Sequence, residues 1–201
     1  LEFRRVLFRS EQALKESPDI LVLPETLNVG FFPKEGLSEL ADVDGKKTKE
    51  VFGQFAKKRN VNIVAGSVAN KKGNHIYNTL YVFDREGQVV CEYDKMHGFT
   101  PSGEHDYFKG GDKVTNFILD GMKCSCVICY DLRFPELIRS AALKGVDLMF
   151  IPAQWPLVRK LHWVTLVTAR AIENQMYVCA VNACGYAGTT KYGGNSLLID
   201  P

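Results

Sequence analysis

Short apolar runs alternate with amphipathic stretches along most of this chain. The runs are rich in Val, Ile and Leu, which is typical of buried β-strands. We predict strands at about 19–24, 62–69, 77–83, 88–94, 114–119, 122–128, 147–152, 177–183 and 195–200. Amphipathic periodicity predicts helices near 45–59, 134–144 and 160–175. This succession predicts an α/β fold in which helices cover sheets.

The composition excludes several classes of protein. Hydrophobic residues make up 46% and charged residues 24% of the 201 residues, as in a globular domain rather than a disordered chain. The net charge is only +2 and no basic run occurs, so we expect no nucleic-acid partner. No apolar run approaches the roughly 20 residues of a membrane helix, and no secretory signal is evident, so we expect no membrane association.

Six cysteines raise the question of disulfide or metal chemistry. Most lie in apolar, strand-like stretches, which favours reduced thiols and a cytoplasmic protein. The spacing of Cys124, Cys126 and Cys129 leaves a zinc or redox module open as an alternative. However, alternation along a strand places Cys124 and Cys126 on one face, and a convincing second pair of ligands is missing. We therefore predict no metal site.

Cys129 is the candidate nucleophile. It follows a predicted strand and precedes a predicted helix, whose first turn accommodates Pro135. A thiol near a helix N-terminus gains thiolate character from the helix dipole, so we expect Cys129 to be activated in this way. A buried structural thiol is the alternative role for this residue.

A nucleophilic thiol requires a base, and carboxylates are better candidates than the four histidines, which lie in polar or loop-like surroundings. Glu25 ends an apolar strand, where a charged group is costly unless it has a partner or a task. Lys95 ends another strand. Together with Cys129, these residues provide the base, cation and nucleophile that acyl transfer through a covalent intermediate requires.

Three ordered motifs surround these residues. They are Leu21-Val-Leu-Pro-Glu25, Glu92-Tyr-Asp-Lys95-Met-His97 and Cys126-Val-Ile-Cys129-Tyr-Asp-Leu-Arg-Phe-Pro-Glu136. In type and order they resemble the Glu, Lys and Cys motifs of the nitrilase superfamily of carbon–nitrogen hydrolases. The resemblance implies a four-layer α-β-β-α sandwich, subunits that pair as a homodimer or higher homo-oligomer, and catalysis without a cofactor.

Two further segments resemble the bacterial omega-amidase group of that superfamily. Residues Gly103–Gly111 resemble the loop that carries the second glutamate of the family, here Glu104. Ala153-Gln-Trp-Pro156, followed by His162-Trp163, resembles the Ala-Asn-Trp-Pro and His-Trp pair of the group, with Gln154 in place of Asn. The implied substrate, which reacts with water, is the terminal amide of a small 2-oxo acid such as 2-oxoglutaramate.

The resemblance also implies a role for each residue of the site. Glu25 would act as base, Cys129 as nucleophile, and Lys95 with the backbone N–H of Tyr130 as the oxyanion donors. Glu104 would hold Lys95 or the substrate amide in place. Three residues would contact the substrate, namely Phe99 and Trp155 as pocket walls and Arg133 as a partner for a carboxylate.

Some alternatives and the two ends of the chain stay open. The substrate could instead be an N-carbamoyl amine or deaminated glutathione, and a non-catalytic member that only binds a metabolite is a third possibility. Residues 1–10 do not resemble the opening of the family and are interpreted as an atypical, foreign segment. We assign 11–201 to the hydrolase domain and expect the chain to be truncated at both ends.

Overall fold

Two mixed β-sheets form the centre of the molecule, and helices cover their outer faces. The computed structural model describes residues 2–30 and 35–201, without the side chain of Glu2. The strands are β1 Ile20–Val22, β2 Asp42–Val43, β3 Asn62–Val64, β4 Val68–Lys72, β5 His75–Phe83, β6 Val89–Asp94, β7 Asn116–Leu119, β8 Met122–Cys126, β9 Leu148–Ala153, β10 Tyr177–Asn182, β11 Cys184–Ala187, β12 Thr190–Gly193 and β13 Leu197–Ile199. The helices are α1 Glu2–Ala13, α2 Leu37–Leu40, α3 Lys46–Arg59, α4 Pro135–Ala142 and α5 Lys160–Asn174.

The first sheet is built around the long strand β5. Strand β6 pairs antiparallel with one edge of β5, and β3 and β4 follow each other along the opposite edge. The parallel strands β1 and β2 then flank β3 and β4. Alternate side chains point to opposite faces, so that Leu80 and Val82 contact the second sheet while Tyr81 and Phe83 pack towards α3.

The second sheet has the order β13-β10-β9-β8-β7. Its three central strands run parallel, and the edge strands β7 and β13 are antiparallel. Helices α4 and α5 bury Ile138, Trp163 and Val167 in the core that this sheet shares with the first one. The resulting layers confirm the predicted α-β-β-α sandwich.

The predicted strand 62–69 is wrong in one respect, since it is divided into β3 and β4 by a β-bulge. The pairing with β5 shifts by one residue between the pairs Val64↔Val82 and Val68↔Thr79. Gly66 lies at the shift with φ +36°, and a Cβ atom there would stand 1.8 Å from the Pro24 carbonyl oxygen. The backbone that leads to Glu25 therefore approaches closely enough to require glycine.

Other segments were missed. The hairpin β11–β12 exposes half of its residues and buries only Tyr192, so its strands lack the alternation that the prediction relied on. Helix α1 was not predicted either, although Phe3 packs edge-on against Phe52 with ring centroids 5.4 Å apart. In the described ranges, no helix has both the length and the apolar character needed to cross a membrane.

Candidate active site

The ends of three strands and one loop meet where the two sheets face each other. Glu25 follows β1, Lys95 follows β6, and Cys129 comes shortly after β8. Glu104 begins a short 3-10 turn in the loop after β6. All four side chains are buried although they are polar. Buried polar groups need partners, and these side chains find them in one another.

Lys95 lies between two carboxylates. Its Nζ is 2.8 Å from Glu25 Oε1 and 2.9 Å from both carboxylate oxygens of Glu104. Burial opposes the positive charge, but Glu25 and Glu104 outweigh it and raise the pKa of Lys95 above its usual range. Asn78, in the middle of β5, donates to Glu25 Oε1 over 2.9 Å and to Glu104 Oε1 over 3.2 Å.

Gln154 fixes the other side of Glu25. Its backbone N–H donates to Glu25 Oε2 over 2.8 Å. Its side-chain Nε2 donates to the Glu25 carbonyl over 2.8 Å and to Thr26 Oγ1 over 2.7 Å. The side chain of Gln154 is one methylene longer than that of Asn. This length lets its amide group reach the turn after Glu25 and hold that turn in place.

Cys129 has a strained backbone. Its φ of +47° lies in the left-handed region, which non-glycine residues adopt rarely. Asp131 stabilises this turn, because its Oδ2 accepts hydrogen bonds from the Ile128 N–H over 3.0 Å and from the Tyr93 hydroxyl over 2.7 Å. The turn presents the thiol to the cavity that contains Glu25 and Lys95.

The expected thiolate character of Cys129 is wrong for the unliganded site. Burial, followed by the negative charge of Glu25, raises the pKa of Cys129 well above that of an ordinary thiol, and Lys95 only partly opposes this. A 3-10 turn follows Cys129 directly, and helix α4 begins only at Pro135. The helix dipole therefore contributes less than the desolvation that comes with burial, which favours the neutral thiol form of Cys129.

Another set of contacts joins the loop after Lys95 to the turn that begins at Cys129. Asp131 Oδ1 accepts a hydrogen bond from the His97 backbone N–H over 2.9 Å and lies 2.9 Å from His97 Nδ1. The His97 ring stacks on Phe134 with centroids 3.6 Å apart. These contacts fix the position of Lys95 relative to Cys129.

A cavity of about 230 Å³ opens above this ion cluster. Its floor consists of the four polar side chains already described, and its walls and mouth include Phe99, Tyr130, Arg133, Trp155, Arg159 and Thr190. Pockets for drug-sized ligands usually span about 300–1,000 Å³. The site is therefore suited to a small molecule.

The walls of the cavity orient two arginines. Trp155 is held by its backbone N–H, 2.6 Å from Asn182 Oδ1, and by its indole N–H, which donates to the Arg159 carbonyl over 2.9 Å. The guanidinium carbon of Arg133 lies 5.0 Å from the centroid of the Trp155 ring. That of Arg159 lies 5.4 Å from the centroid of the Phe99 ring. Both separations are typical of cation–π contacts.

All eight residues that the sequence singled out line this cavity. They are Glu25, Lys95, Phe99, Glu104, Cys129, Tyr130, Arg133 and Trp155. Asn78 and Arg159 were missed. A polar side chain inside an apolar strand is a signal that could have identified Asn78, whereas Arg159 lies between Ala153–Pro156 and His162-Trp163 but outside the residues that carry the resemblance.

The three closely spaced cysteines do not converge. Cys126 Sγ lies 3.8 Å from Cys91 Sγ in the adjacent sheet, whereas Cys129 faces the ion cluster. Within the part of the chain that the structure describes, no three His, Cys, Asp or Glu side chains are arranged to hold a metal ion. This arrangement does not favour the zinc or redox alternative.

The chain is similar to known proteins in sequence and in fold. The model of the family "Carbon-nitrogen hydrolase" matches residues 3–201, and the chain belongs to this family. A 2-oxoglutaramate amidase of Bacillus subtilis is 48% identical over 183 residues, which are 91% of this chain and 70% of that protein. Omega-amidase YafV of Escherichia coli K12 is 38% identical over 185 residues, or 91% of this chain and 69% of that protein.

Solved structures show the same architecture. A CN-hydrolase superfamily protein from Xanthomonas campestris superimposes with a TM-score of 0.86 at 32% identity, covering 96% of this chain and 75% of that one. Nit3 of Saccharomyces cerevisiae, a nitrilase superfamily member, gives a TM-score of 0.89 at 29% identity over 99% and 76% of the two chains. The resemblance to the nitrilase superfamily is confirmed, and the chain is an amidase-type hydrolase.

Proposed function

We propose that this protein is a thiol-dependent amidase that hydrolyses the terminal amide of a small 2-oxo acid, of the 2-oxoglutaramate type, to the acid and ammonia. The observation that carries the proposal is the buried Lys95, bonded to Glu25 and Glu104 on the floor of the cavity that contains Cys129. The names of relatives that are 48% and 38% identical support the substrate class.

The first half of the proposed reaction forms a thioester. Glu25 takes the proton of the Cys129 thiol while the sulfur attacks the amide carbon. This transfer moves one negative charge from Glu25 to sulfur within a site whose net charge does not change. The C–N bond then breaks, and ammonia leaves with the proton that Glu25 received. The raised pKa of Cys129 fits this mechanism, because the thiol does not need to ionise before the substrate binds.

Charge that develops on the amide oxygen requires donors that are already in place. Lys95 Nζ and the backbone N–H of Tyr130 are assigned this role. Tyr130 is the second residue of the 3-10 turn Cys129–Arg133, where backbone N–H groups lack a partner within the turn. Glu104 and Asn78 hold Lys95 and Glu25 at fixed positions, so that little reorganisation is needed as the charge forms.

The second half of the reaction hydrolyses the thioester. Glu25 removes a proton from water as the water oxygen attacks the acyl carbon, and the C–S bond breaks. The proton on Glu25 then returns to the thiolate, so that the free acid is released and the resting thiol is restored.

The cavity also favours a short acyl chain. Its volume of about 230 Å³ suits a five-carbon acid amide better than the much larger deaminated glutathione. Arg133 is assigned to the distal carboxylate, since its guanidinium lies over the faces of Tyr130 and Trp155 at the cavity mouth. We further propose a cytoplasmic location, because all six cysteines are free thiols, and a homodimeric state as in the family.

Ammonia release tests this proposal. The purified protein is incubated with 2-oxoglutaramate, an N-carbamoyl amine and a simple nitrile, beside the variants Cys129→Ala and Cys184→Ala. Cys184 is exposed and does not line the cavity, so its removal controls for loss of a thiol. We expect release from 2-oxoglutaramate by the wild type and by Cys184→Ala, and none by Cys129→Ala. Intact-mass measurement should detect the acyl adduct during turnover.

Each other result has a defined meaning. Release only from the carbamoyl compound would replace the substrate and keep the mechanism. Activity that survives in Cys129→Ala would remove the proposed nucleophile. Absence of turnover with every compound would favour a binding protein over an enzyme of this specificity.

A further inference from the structure

The mouth of the cavity carries two guanidinium groups that bond to no carboxylate of the described residues. Among residues 2–30 and 35–201, the arginines at positions 59, 85 and 170 each form an ion pair, but no carboxylate oxygen lies within 4.0 Å of Arg133 or Arg159. Both are only partly exposed and line the cavity above Cys129. A partly buried cation without a counterion is favourable where an anionic ligand supplies one.

The backbone around Arg159 is fixed. Its N–H donates to the Pro156 carbonyl over 3.0 Å, and its carbonyl accepts the indole N–H of Trp155 over 2.9 Å. The residue ends the 3-10 turn Leu157–Arg159 that leads into α5. These contacts fix the point from which the side chain enters the cavity mouth, so less conformational entropy is lost when it binds a ligand.

The side chain of Arg159 packs over the Phe99 ring, on the loop that carries Glu104. Phe99 is itself fixed, because its backbone N–H donates to Glu104 Oε2 over 2.6 Å. Packing of a guanidinium on a ring orients its plane and leaves its N–H groups free to donate. In the described part of the chain, no side chain accepts a hydrogen bond from Arg159, whereas the Arg133 guanidinium lies 3.1 Å from His162 Nδ1.

We infer that Arg159 is a specificity-determining residue that, with Arg133, binds the carboxylate at the far end of the substrate and restricts the enzyme to anionic amides. Trp155 links the two arginines, since its ring faces the guanidinium of Arg133 and its N–H bonds to the Arg159 carbonyl. The inference deepens the proposed function and rests on it for the identity of the amide. The reacting amide would lie at the floor and the carboxylate at the mouth.

A pair of matched substrates isolates this contact. 2-Oxoglutaramate and 4-oxopentanamide have the same five-carbon skeleton, and a methyl group replaces the carboxylate in the second. For Arg159→Gln we expect KM for 2-oxoglutaramate to rise about 10- to 100-fold with kcat nearly unchanged, as for loss of a charge-assisted hydrogen bond. The kcat/KM for 4-oxopentanamide should stay within about twofold of the wild type, because uniform binding of its amide end is unaffected.

Two further variants serve as controls. Arg159→Lys keeps the charge but not the fork of donors, so we expect an intermediate KM. Arg139→Gln removes the same charge from an exposed position on α4, where the guanidinium donates to the Glu173 carbonyl. We expect Arg139→Gln to leave KM and kcat for both substrates unchanged. The inference would be overturned if Arg159→Gln lowered kcat/KM equally for both amides, since that would indicate a structural role. It would also be overturned if kcat/KM fell for neither amide.

A binding measurement separates this inference from the proposed function. Calorimetry with the product acid 2-oxoglutarate needs no turnover and compares Cys129→Ala with Cys129→Ala/Arg159→Gln. We expect Kd to rise about 10- to 100-fold in the double variant. If the wild type releases no ammonia but this shift is found, the proposed function fails and the anion site stands. An unchanged Kd, or no binding at all, rejects the role of Arg159.

Discussion

The floor and the mouth of the cavity hold their charges in opposite ways. At the floor, Lys95 is bonded to Glu25 and Glu104, and all three are at most 3% exposed. At the mouth, Arg133 and Arg159 lie over aromatic rings. Buried ions must be paired within the protein, whereas ions in contact with solvent can be left for a ligand to pair. The floor is therefore suited to chemistry and the mouth to selection.

Removing the cation of the floor should have the largest effect. For Lys95→Met we expect kcat/KM to fall at least about 10³-fold, since the proposed oxyanion donor is lost and Glu25 is left beside Glu104. The free energy of unfolding should fall by about 3–5 kcal/mol, as when a buried pair loses one partner. Kinetics of ammonia release and urea unfolding measure the two effects.

Lys72 offers a matched control for this substitution. It too bonds to two carboxylates, 2.7 Å from Glu92 and 2.8 Å from Asp94, but it is 28% exposed and lies outside the cavity. Lys72→Met should leave activity unchanged and cost about 0–1 kcal/mol of stability. Equal losses of activity in the two variants would contradict the special role of the floor.

The raised pKa of Cys129 leads to a prediction about how stability depends on pH. Because the pKa of Cys129 is raised by folding, the unfolded chain releases this proton first as the pH rises. The stabilising contribution is complete below the ordinary thiol pKa of about 8.5 and is lost above it, by up to about 1.4 kcal/mol per pH unit. Urea unfolding between pH 7 and 10 should show that the wild type loses stability faster than Cys129→Ala. Parallel curves would mean that the thiol is not perturbed.

A substitution at Gln154, which lines the cavity beside Glu25, should give the smallest effect. Gln154→Asn keeps the backbone N–H that bonds to Glu25 but shortens the side chain that reaches Thr26. We expect the free energy of unfolding to fall by about 1–3 kcal/mol, because the side-chain amide loses its hydrogen-bond partners. The kcat/KM should fall less than tenfold. Thermal unfolding and steady-state kinetics check this. An unchanged transition would show that the turn after Glu25 does not depend on this side chain.

The sequence located the floor better than the mouth. Glu25, Lys95 and Cys129 each follow a recognisable apolar strand, and the ordered motifs around them identify the family. Arg159 has no such context, because a partly exposed arginine before a helix resembles any surface residue. Asn78 was missed for a related reason. The strand that contains it reads as apolar, and only the register of β5 places its side chain beside two carboxylates.

The sequence by itself predicted an α/β fold and most of its strands and helices from local periodicity, and the motifs supplied the types of residue available for catalysis and the resemblance that implied the four-layer sandwich. Tertiary structure decided the raised pKa of Cys129 and the bulge at Gly66. Both depend on residues distant in the chain, since Glu25 raises the pKa of the thiol and the Pro24 carbonyl excludes a side chain at Gly66. Desolvation and close backbone approach arise only when the sheets pack, so no local pattern encodes them.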